Sequence, residues 1–197
     1  MLYKGRERFD SIGIKIGSLF SRLRLSPNQW TVLSILPALI SFYLLTKQEF
    51  FLAALFFSIA SFIDWIDGSV ARVTGKATAF GGFLDVIMDR IVEFLIIFGL
   101  SFIEYPDFII PAQKWLMLIL FGSFMIPYLK ASAFWKITTK EEISGGILER
   151  TERLILLFLI ILTSAFSTFY SIYLIVITVI LLFTSATQRF IISYRKR

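Results

Sequence analysis

Asp64-Trp65-Ile66-Asp67-Gly68-Ser69-Val70-Ala71-Arg72 and Gly81-Gly82-Phe83-Leu84-Asp85-Val86-Ile87-Met88-Asp89 set four carboxylates into two long apolar runs joined by a short turn. An acid at the centre of a membrane helix costs about 2.5–3.5 kcal/mol on insertion scales, so its presence demands a reason. Asp64 and Asp67 stand at i and i+3, and Asp85 and Asp89 at i and i+4, so each pair shares one helical face. The turn Thr74–Ala79 is short, which predicts antiparallel neighbouring helices. With a helical rise of 1.5 Å per residue, both pairs then lie about 10–15 Å from the turn, at matching depth. Four carboxylates so placed cannot all stay ionised without a compensating cation.

The rest of the chain explains why those runs are membrane helices. Its 197 residues are 57% hydrophobic and 17% aromatic, with a mean hydropathy of +0.78, more than an ordinary water-soluble domain sustains. Six stretches, near 29–46, 49–74, 80–103, 112–136, 150–167 and 169–190, are long enough to cross a hydrocarbon core of about 30 Å. Before them, Met1–Leu25 carries Phe9, Ile12, Ile16, Leu19, Phe20 and Leu23 at helical spacing, with Lys4, Arg6, Arg8, Lys15, Arg22 and Arg24 between. That pattern suits an amphipathic helix lying in the interface. A signal peptide would show an apolar core and a small-residue cleavage site, which this stretch lacks. The expected architecture is an all-α integral membrane protein: six transmembrane helices preceded by an amphipathic interfacial helix. No linker, low-complexity tract or repeat divides residues 1–197, which read as a single domain.

Of the 20 Lys and Arg, only Lys47 and Lys114 fall outside the N-terminal helix, the second and fourth loops with their flanking helix ends, and the C-terminus. The positive-inside rule puts those segments, both termini and the acidic pairs toward the cytoplasmic face of the cell membrane. The net charge of +6 is then a signal of topology and contact with anionic membrane lipids. Nothing supplies the basic groove with stacking aromatics that a nucleic-acid partner would need.

Absent residue types narrow the chemistry. Without Cys there is no disulfide framework, thiolate nucleophile or zinc finger. Without His there is no Ser-His-Asp triad, imidazole base or His-ligated metal. Arg72 and Arg90 can offset part of the acidic charge, but a divalent ion meets the geometry better, and oxygen-only ligands point to Mg²⁺, Mn²⁺ or Ca²⁺. Gly68, Ser69, Ala71, Gly75, Gly81 and Gly82 keep the backbones close and leave room for a ligand. Salt bridges and tight packing would account for one or two such acids, not four in register. Glu93 continues the Asp85–Asp89 face one turn deeper, either supporting that site or pairing with Arg90.

The order Asp64-x2-Asp67-Gly68-x2-Ala71-Arg72-x8-Gly81-x3-Asp85-x3-Asp89 matches, without gap or substitution, the signature of the CDP-alcohol phosphatidyltransferases. The chain resembles these membrane enzymes, which make phospholipids from a CDP-linked donor and an alcohol, over essentially its whole length. Ser26-Pro27-Asn28-x2-Thr31 is similar to the family's usual entry to the first span. The resemblance implies that Asp64, Asp67 and Asp85 bind one or two Mg²⁺ or Mn²⁺ ions. Asp89 is counted with that metal set and would also be the general base for the acceptor hydroxyl. Gly68, Ala71, Arg72 and Gly81, with Asp64, Asn28 and Thr31, would shape the nucleotide pocket. It also implies a homodimer. The residues agree on the chemistry: such ions neutralise a diphosphate and stabilise CMP as it leaves, and without His a carboxylate is the available proton acceptor.

The acceptor is read from a second cluster, Lys130, Arg150, Arg153 and Arg189, at the cytoplasmic ends of the last three spans. Converging cations suit a phosphorylated acceptor, since Arg grips phosphate bidentately. From composition alone, positive-inside anchoring with Glu149 and Glu152 as partners is the simpler reading. Glu149-Arg150-Thr151-Glu152-Arg153 after Gly145-Gly146 resembles the branch that makes inositol phosphate lipids, the phosphatidylinositol phosphate and archaetidylinositol phosphate synthases. That resemblance implies that the four cations hold the phosphate of inositol 1-phosphate. The expected reaction is transfer from CDP-archaeol or CDP-diacylglycerol to this small phosphorylated polyol, releasing CMP. A glycerol 3-phosphate acceptor and a CDP-inositol donor, as in di-inositol phosphate synthesis, stay open. Outside the class, a small cation transporter would be expected to show broken helices or repeat symmetry at the midplane, and the sequence displays neither.

Overall fold

A computed structural model of the chain describes residues 13–137 and 146–195, and they are almost entirely helical. Residues 13–21 form α1. Ser26 caps α2 (Pro27–Leu33): its Oγ accepts from Gln29 N (3.3 Å) and the Gln29 side chain accepts from Ser26 N (2.8 Å). Pro27 costs nothing at the first turn, where an amide has no helical partner. α3 (Ile35–Thr46) follows after Ser34, whose hydroxyl donates to Thr31 O (2.7 Å). The first expected span is thus two helical pieces with a joint. α4 (Phe50–Thr74) stops at Gly75, which takes the left-handed φ of 64° that glycine adopts without steric cost. Thr78 then caps α5 (Ala79–Leu100) by accepting from Gly81 N (3.0 Å). α6 (Ala112–Ile137), α7 (Arg150–Phe166) and α8 (Thr168–Arg195) complete the order, and α8 runs beyond the expected end at 190. α7 and α8 are separated only by Ser167, and hydroxyls of Tyr105, Thr163, Ser164 and Ser171 bond one another at that joint.

Among the described residues, four helical units are long and apolar enough to cross a membrane: Pro27–Thr46, Phe50–Thr74, Ala112–Trp135 and Thr168–Tyr194. α5 carries Asp85, Asp89, Arg90 and Glu93, and α7 is 17 residues long and opens on Arg-Thr-Glu-Arg, which is why neither qualifies on apolarity and length. Phe51, Phe83, Phe121 and Tyr170 lie on the outer surface, while Ser41, Ser123, Ser171 and Ser185 are buried. Apolar outside and small polar residues between helices is the arrangement of a membrane protein.

α3 packs on both α4 and α5, which touch each other far less. The expectation of α4 and α5 as direct neighbours is corrected in this respect. Phe42 of α3 stacks on Phe98 (5.5 Å between centroids), and a Cβ on Gly99 would stand 2.7 Å from Leu45. This wedge leaves the acid-bearing faces free of side-chain interdigitation. On the other side α6 packs on α8, and α7 on α4 and α8. α1 crosses α4 closely: a Cβ on Gly17 would lie 2.5 Å from Ser69 O. The apolar stripe expected on this segment is divided. Ile16 and Phe20 pack around Trp30, Ile66 and Val70, whereas Leu19 and Leu23 are exposed. Phe9, Ile12 and the basic residues before them lie outside the described residues, as does the polar segment 138–145.

Because Gly99 is in contact with Leu45, Gly99→Val overpacks the α3–α5 contact at a cost of about 1–3 kcal/mol. The expected outcome is a lower Tm in detergent. Gly82→Ala, whose Cβ meets nothing within 4 Å, serves as the reference and keeps its Tm.

Candidate active site

The turn chemistry just described brings the acidic faces together. Asp64, Asp67 and Asp85 each offer a carboxylate oxygen, and these oxygens lie within 4.8 Å of one another. Asp64 and Asp67 are buried, and Asp67 Oδ2 has no hydrogen-bond partner. Ligand oxygens at about 2.0–2.6 Å from one hard cation are separated by no more than about twice that distance, so the spacing and the orphaned oxygen fit a divalent ion.

Part of the compensating charge comes from a residue the sequence did not suggest. Arg72 turns to Ser69 Oγ (3.3 Å), and Arg90 Nη2 is 3.9 Å from Asp89. Arg150, at the start of α7, places Nη2 2.7 Å from Asp64 Oδ2 and also pairs with Asp89 Oδ1. Among the described residues Asp67 and Asp85 have no ion pair. Asp89 therefore stands beside the three clustered carboxylates, linked to Asp64 through a guanidinium. The position of Arg150 is set by the segment before it. Ile147 N donates to Gln188 Oε1 (3.0 Å), Leu148 N donates to Ser185 Oγ (3.3 Å), and Glu149 and Glu152 form a capping box. Gly146 has φ 121°, and a Cβ there would meet Arg189 Nε and Ser185 Oγ at 2.8 Å, so only glycine lets this segment lie on α8.

Three cavities adjoin the acids. The first, of 260 Å³, is bounded by Asn28, Thr31, Asp67, Gly68, Ala71 and Arg72, with Gly81 and Asp85 opposite. It therefore gathers every residue expected at a nucleotide except Asp64. A Cβ on Gly81 would stand 3.0 Å from Asn28 Oδ1, which explains glycine where α5 meets α2. The second, a groove of 520 Å³ between α4 and α7, joins Asp64 and Arg150 to the apolar Phe57, Leu154, Ile155 and Phe158.

The third cavity, of 230 Å³, is lined by Asp89 and by Lys130, Arg150, Arg153 and Arg189, so the structure brings together all four cations assigned to the acceptor. Sequence reasoning missed Arg90 and Glu149, which also line it. Arg189 is 1% exposed, and its Nε and Nη1 have no hydrogen-bond partner. Arg153 is held on Glu93 Oε1 through Nε (3.1 Å) and Nη2 (3.0 Å). Glu93, 1% exposed, also takes Arg90 Nη1 on its other oxygen. Arg90 Nη1 donates as well to Ser123 O (3.0 Å). Pro127 inside α6 supplies no N–H to that carbonyl four residues back, which leaves it open to the guanidinium. Pro127 was a signal for this contact, though only the fold reveals which donor arrives.

Comparison with known proteins places this geometry. The CDP-alcohol phosphatidyltransferase family profile matches residues 24–186. The archaetidylinositol phosphate synthase of Pyrococcus horikoshii is 33% identical over 160 residues, 80% of each chain. The phosphatidylinositol phosphate synthase of Corynebacterium glutamicum is 30% identical over 158 residues, 77% of this chain and 69% of the other. In fold, the chain is similar to the Mycobacterium tuberculosis phosphatidylinositol phosphate synthase crystallised with CDP-DAG bound, with a TM-score of 0.79 at 24% identity over 93% of this chain and 94% of that one. A structure of that protein in complex with manganese and citrate gives 0.78, over 92% of this chain and 88% of that one. The chain belongs to the CDP-alcohol phosphatidyltransferase family and is an enzyme of that class.

Breaking the buried Glu93 cluster leaves two guanidinium groups without their shared carboxylate. Glu93→Gln is expected to cost about 3–5 kcal/mol of stability, read as a large fall in Tm in detergent. An unchanged melt would contradict the pairing.

Proposed function

We propose that the enzyme transfers the phosphatidyl-type group of CDP-archaeol or CDP-diacylglycerol to inositol 1-phosphate and releases CMP. The observation that carries this reading is the placement of Asp89. It lies in the wall of the cation-lined cavity and is joined to Asp64 of the carboxylate cluster through Arg150. A hydroxyl of a phosphate-anchored polyol in that cavity would therefore stand beside both a proton acceptor and the donor diphosphate. The names of the relatives support the same substrate class.

In this reading Asp64, Asp67 and Asp85, with Asp89 at their edge, hold Mg²⁺ or Mn²⁺, which when bound neutralises the diphosphate and the charge developing on CMP. Asn28, Thr31, Gly68, Ala71, Arg72 and Gly81 enclose the cytidine and its phosphates. The apolar length of the groove between α4 and α7 takes the lipid chains. Lys130, Arg150, Arg153 and Arg189 grip the acceptor phosphate and aim the polyol hydroxyl at the lipid-bearing phosphorus. Its oxygen bonds to that phosphorus, the bond to the bridging oxygen breaks, CMP leaves with that electron pair, and Asp89 takes the hydroxyl proton.

The membrane arrangement follows the charges. α5 and α7 join the four apolar units to make six spans, and α1 lies in the interface with Leu19 and Leu23 outward. Both termini and the site face the cytoplasm, and the chain works as the homodimer that the family resemblance implies. The larger core cluster draws buried residues from α3 through α8, which supports one domain.

CMP release by the purified protein with Mg²⁺ or Mn²⁺ and CDP-archaeol or CDP-diacylglycerol tests the reading. Inositol 1-phosphate is expected to outperform glycerol 3-phosphate, inositol and serine. Asp89→Asn is expected to abolish CMP release while nucleotide binding stays near wild type. Preference for free inositol or serine would contradict the phosphate-gripping role, and an active Asp89→Asn enzyme would contradict the base.

A further inference from the structure

We infer that Arg150 is a latch between the cation and acceptor sites, so that the divalent ion and the acceptor phosphate bind cooperatively. The inference rests on the reading above and adds a coupling that the reading does not require. Among the described residues Arg150 alone lines both the groove beside the carboxylates and the cation-lined cavity. Its guanidinium is engaged by Asp64 and Asp89, the first of which is a proposed ligand of the ion.

The other cations of the cavity are held differently. Arg153 is fixed on Glu93, with its side chain 4% exposed. Arg189 is sealed against Gly146 and Ser185. The Arg150 side chain is 33% exposed, and its Nε has no hydrogen-bond partner. Of the four arginines lining the cavity it is the most exposed, and it has a donor to spare.

Two positive groups compete for the same oxygens. A guanidinium 2.7 Å from Asp64 Oδ2 repels a divalent ion that uses that carboxylate, so the ion binds more tightly when Arg150 is withdrawn. A phosphate in the acceptor cavity gives Arg150 a bidentate partner of its own and draws it off the acids. By linkage, whatever the phosphate adds to ion affinity the ion adds to phosphate affinity. Acceptor arrival then completes the cation site.

Mn²⁺ binding to the purified full chain, without CDP-lipid, tests the latch through the electron paramagnetic resonance signal of free Mn²⁺. A protein-free titration corrects for Mn²⁺ held by phosphate in solution. Inositol 1-phosphate is expected to lower the Mn²⁺ Kd by about 5- to 150-fold, the usual range of site coupling, and free inositol to leave it unchanged. Arg150→Gln is expected to bind Mn²⁺ more tightly than wild type and to lose the response to inositol 1-phosphate. The wild-type response needs no variant, so a misfolded Arg150→Gln cannot stand in for it. A Kd indifferent to millimolar inositol 1-phosphate overturns the latch while leaving the metal reading intact. Absence of Mn²⁺ binding in both proteins overturns the two together.

Discussion

Four clustered carboxylates on two apolar helices cannot all stay ionised without positive charge delivered to the same place, and the fold is arranged around that delivery. α4 and α5 bring the acids, but α3 wedges against both helices and leaves the acidic faces unfilled. The guanidinium that answers them comes from α7, whose first residue is Arg150. α7 can start there because the preceding residues are bonded to Ser185 and Gln188 of α8. A line of hydrogen bonds and ion pairs thus runs from the last helix to the acids of α4 and α5. One Arg shared by Asp64 and Asp89 still leaves Asp67 and Asp85 without an ion pair among the described residues. That residual negative charge fits a divalent ion.

A second buried cluster separates structural from working cations. Glu93 holds Arg90 and Arg153, and the α6 carbonyl opened by Pro127 takes another Arg90 donor. α5, α6 and α7 are therefore tied at one point just behind the cation-lined cavity. Among the described residues Lys130 and Arg189 reach that cavity without carboxylates bound closely to them, the ion pair of Arg189 with Glu149 being 3.9 Å long. Neutralising some cations and leaving others under-satisfied gives the cavity a net positive wall, the condition for holding a phosphate monoester in partly desolvated surroundings.

The acidic site was legible in the sequence because it is built from local rules. Spacings of three and four fix the faces of two helices, and Gly75 and Thr78 fix the turn that returns one toward the other. The four cations assigned to the acceptor also converge as expected. What the sequence hid is relational. Arg150 looked like a phosphate ligand and proves to be the countercharge of the acids as well, because the identity of an ion partner depends on which helices pack. Of the two arginines closer in sequence to the acids, Arg72 turns to Ser69, and Arg90 divides itself between Glu93 and a longer contact with Asp89. The two readings of Glu93 were both local and omitted Arg153, which only the α5–α7 approach supplies. The joint at Ser34 and the division of the α1 stripe likewise depend on neighbours that no periodicity reports.

We propose that Asp64, Asp67 and Asp85 form one cation site facing the donor. Anomalous scattering at the manganese edge from crystals grown with Mn²⁺ tests it most directly. An anomalous peak about 2.0–2.6 Å from carboxylate oxygens of all three residues is expected. Bound manganese that leaves Asp67 and Asp85 out of its ligands, or no peak at this position under saturating Mn²⁺, would contradict it.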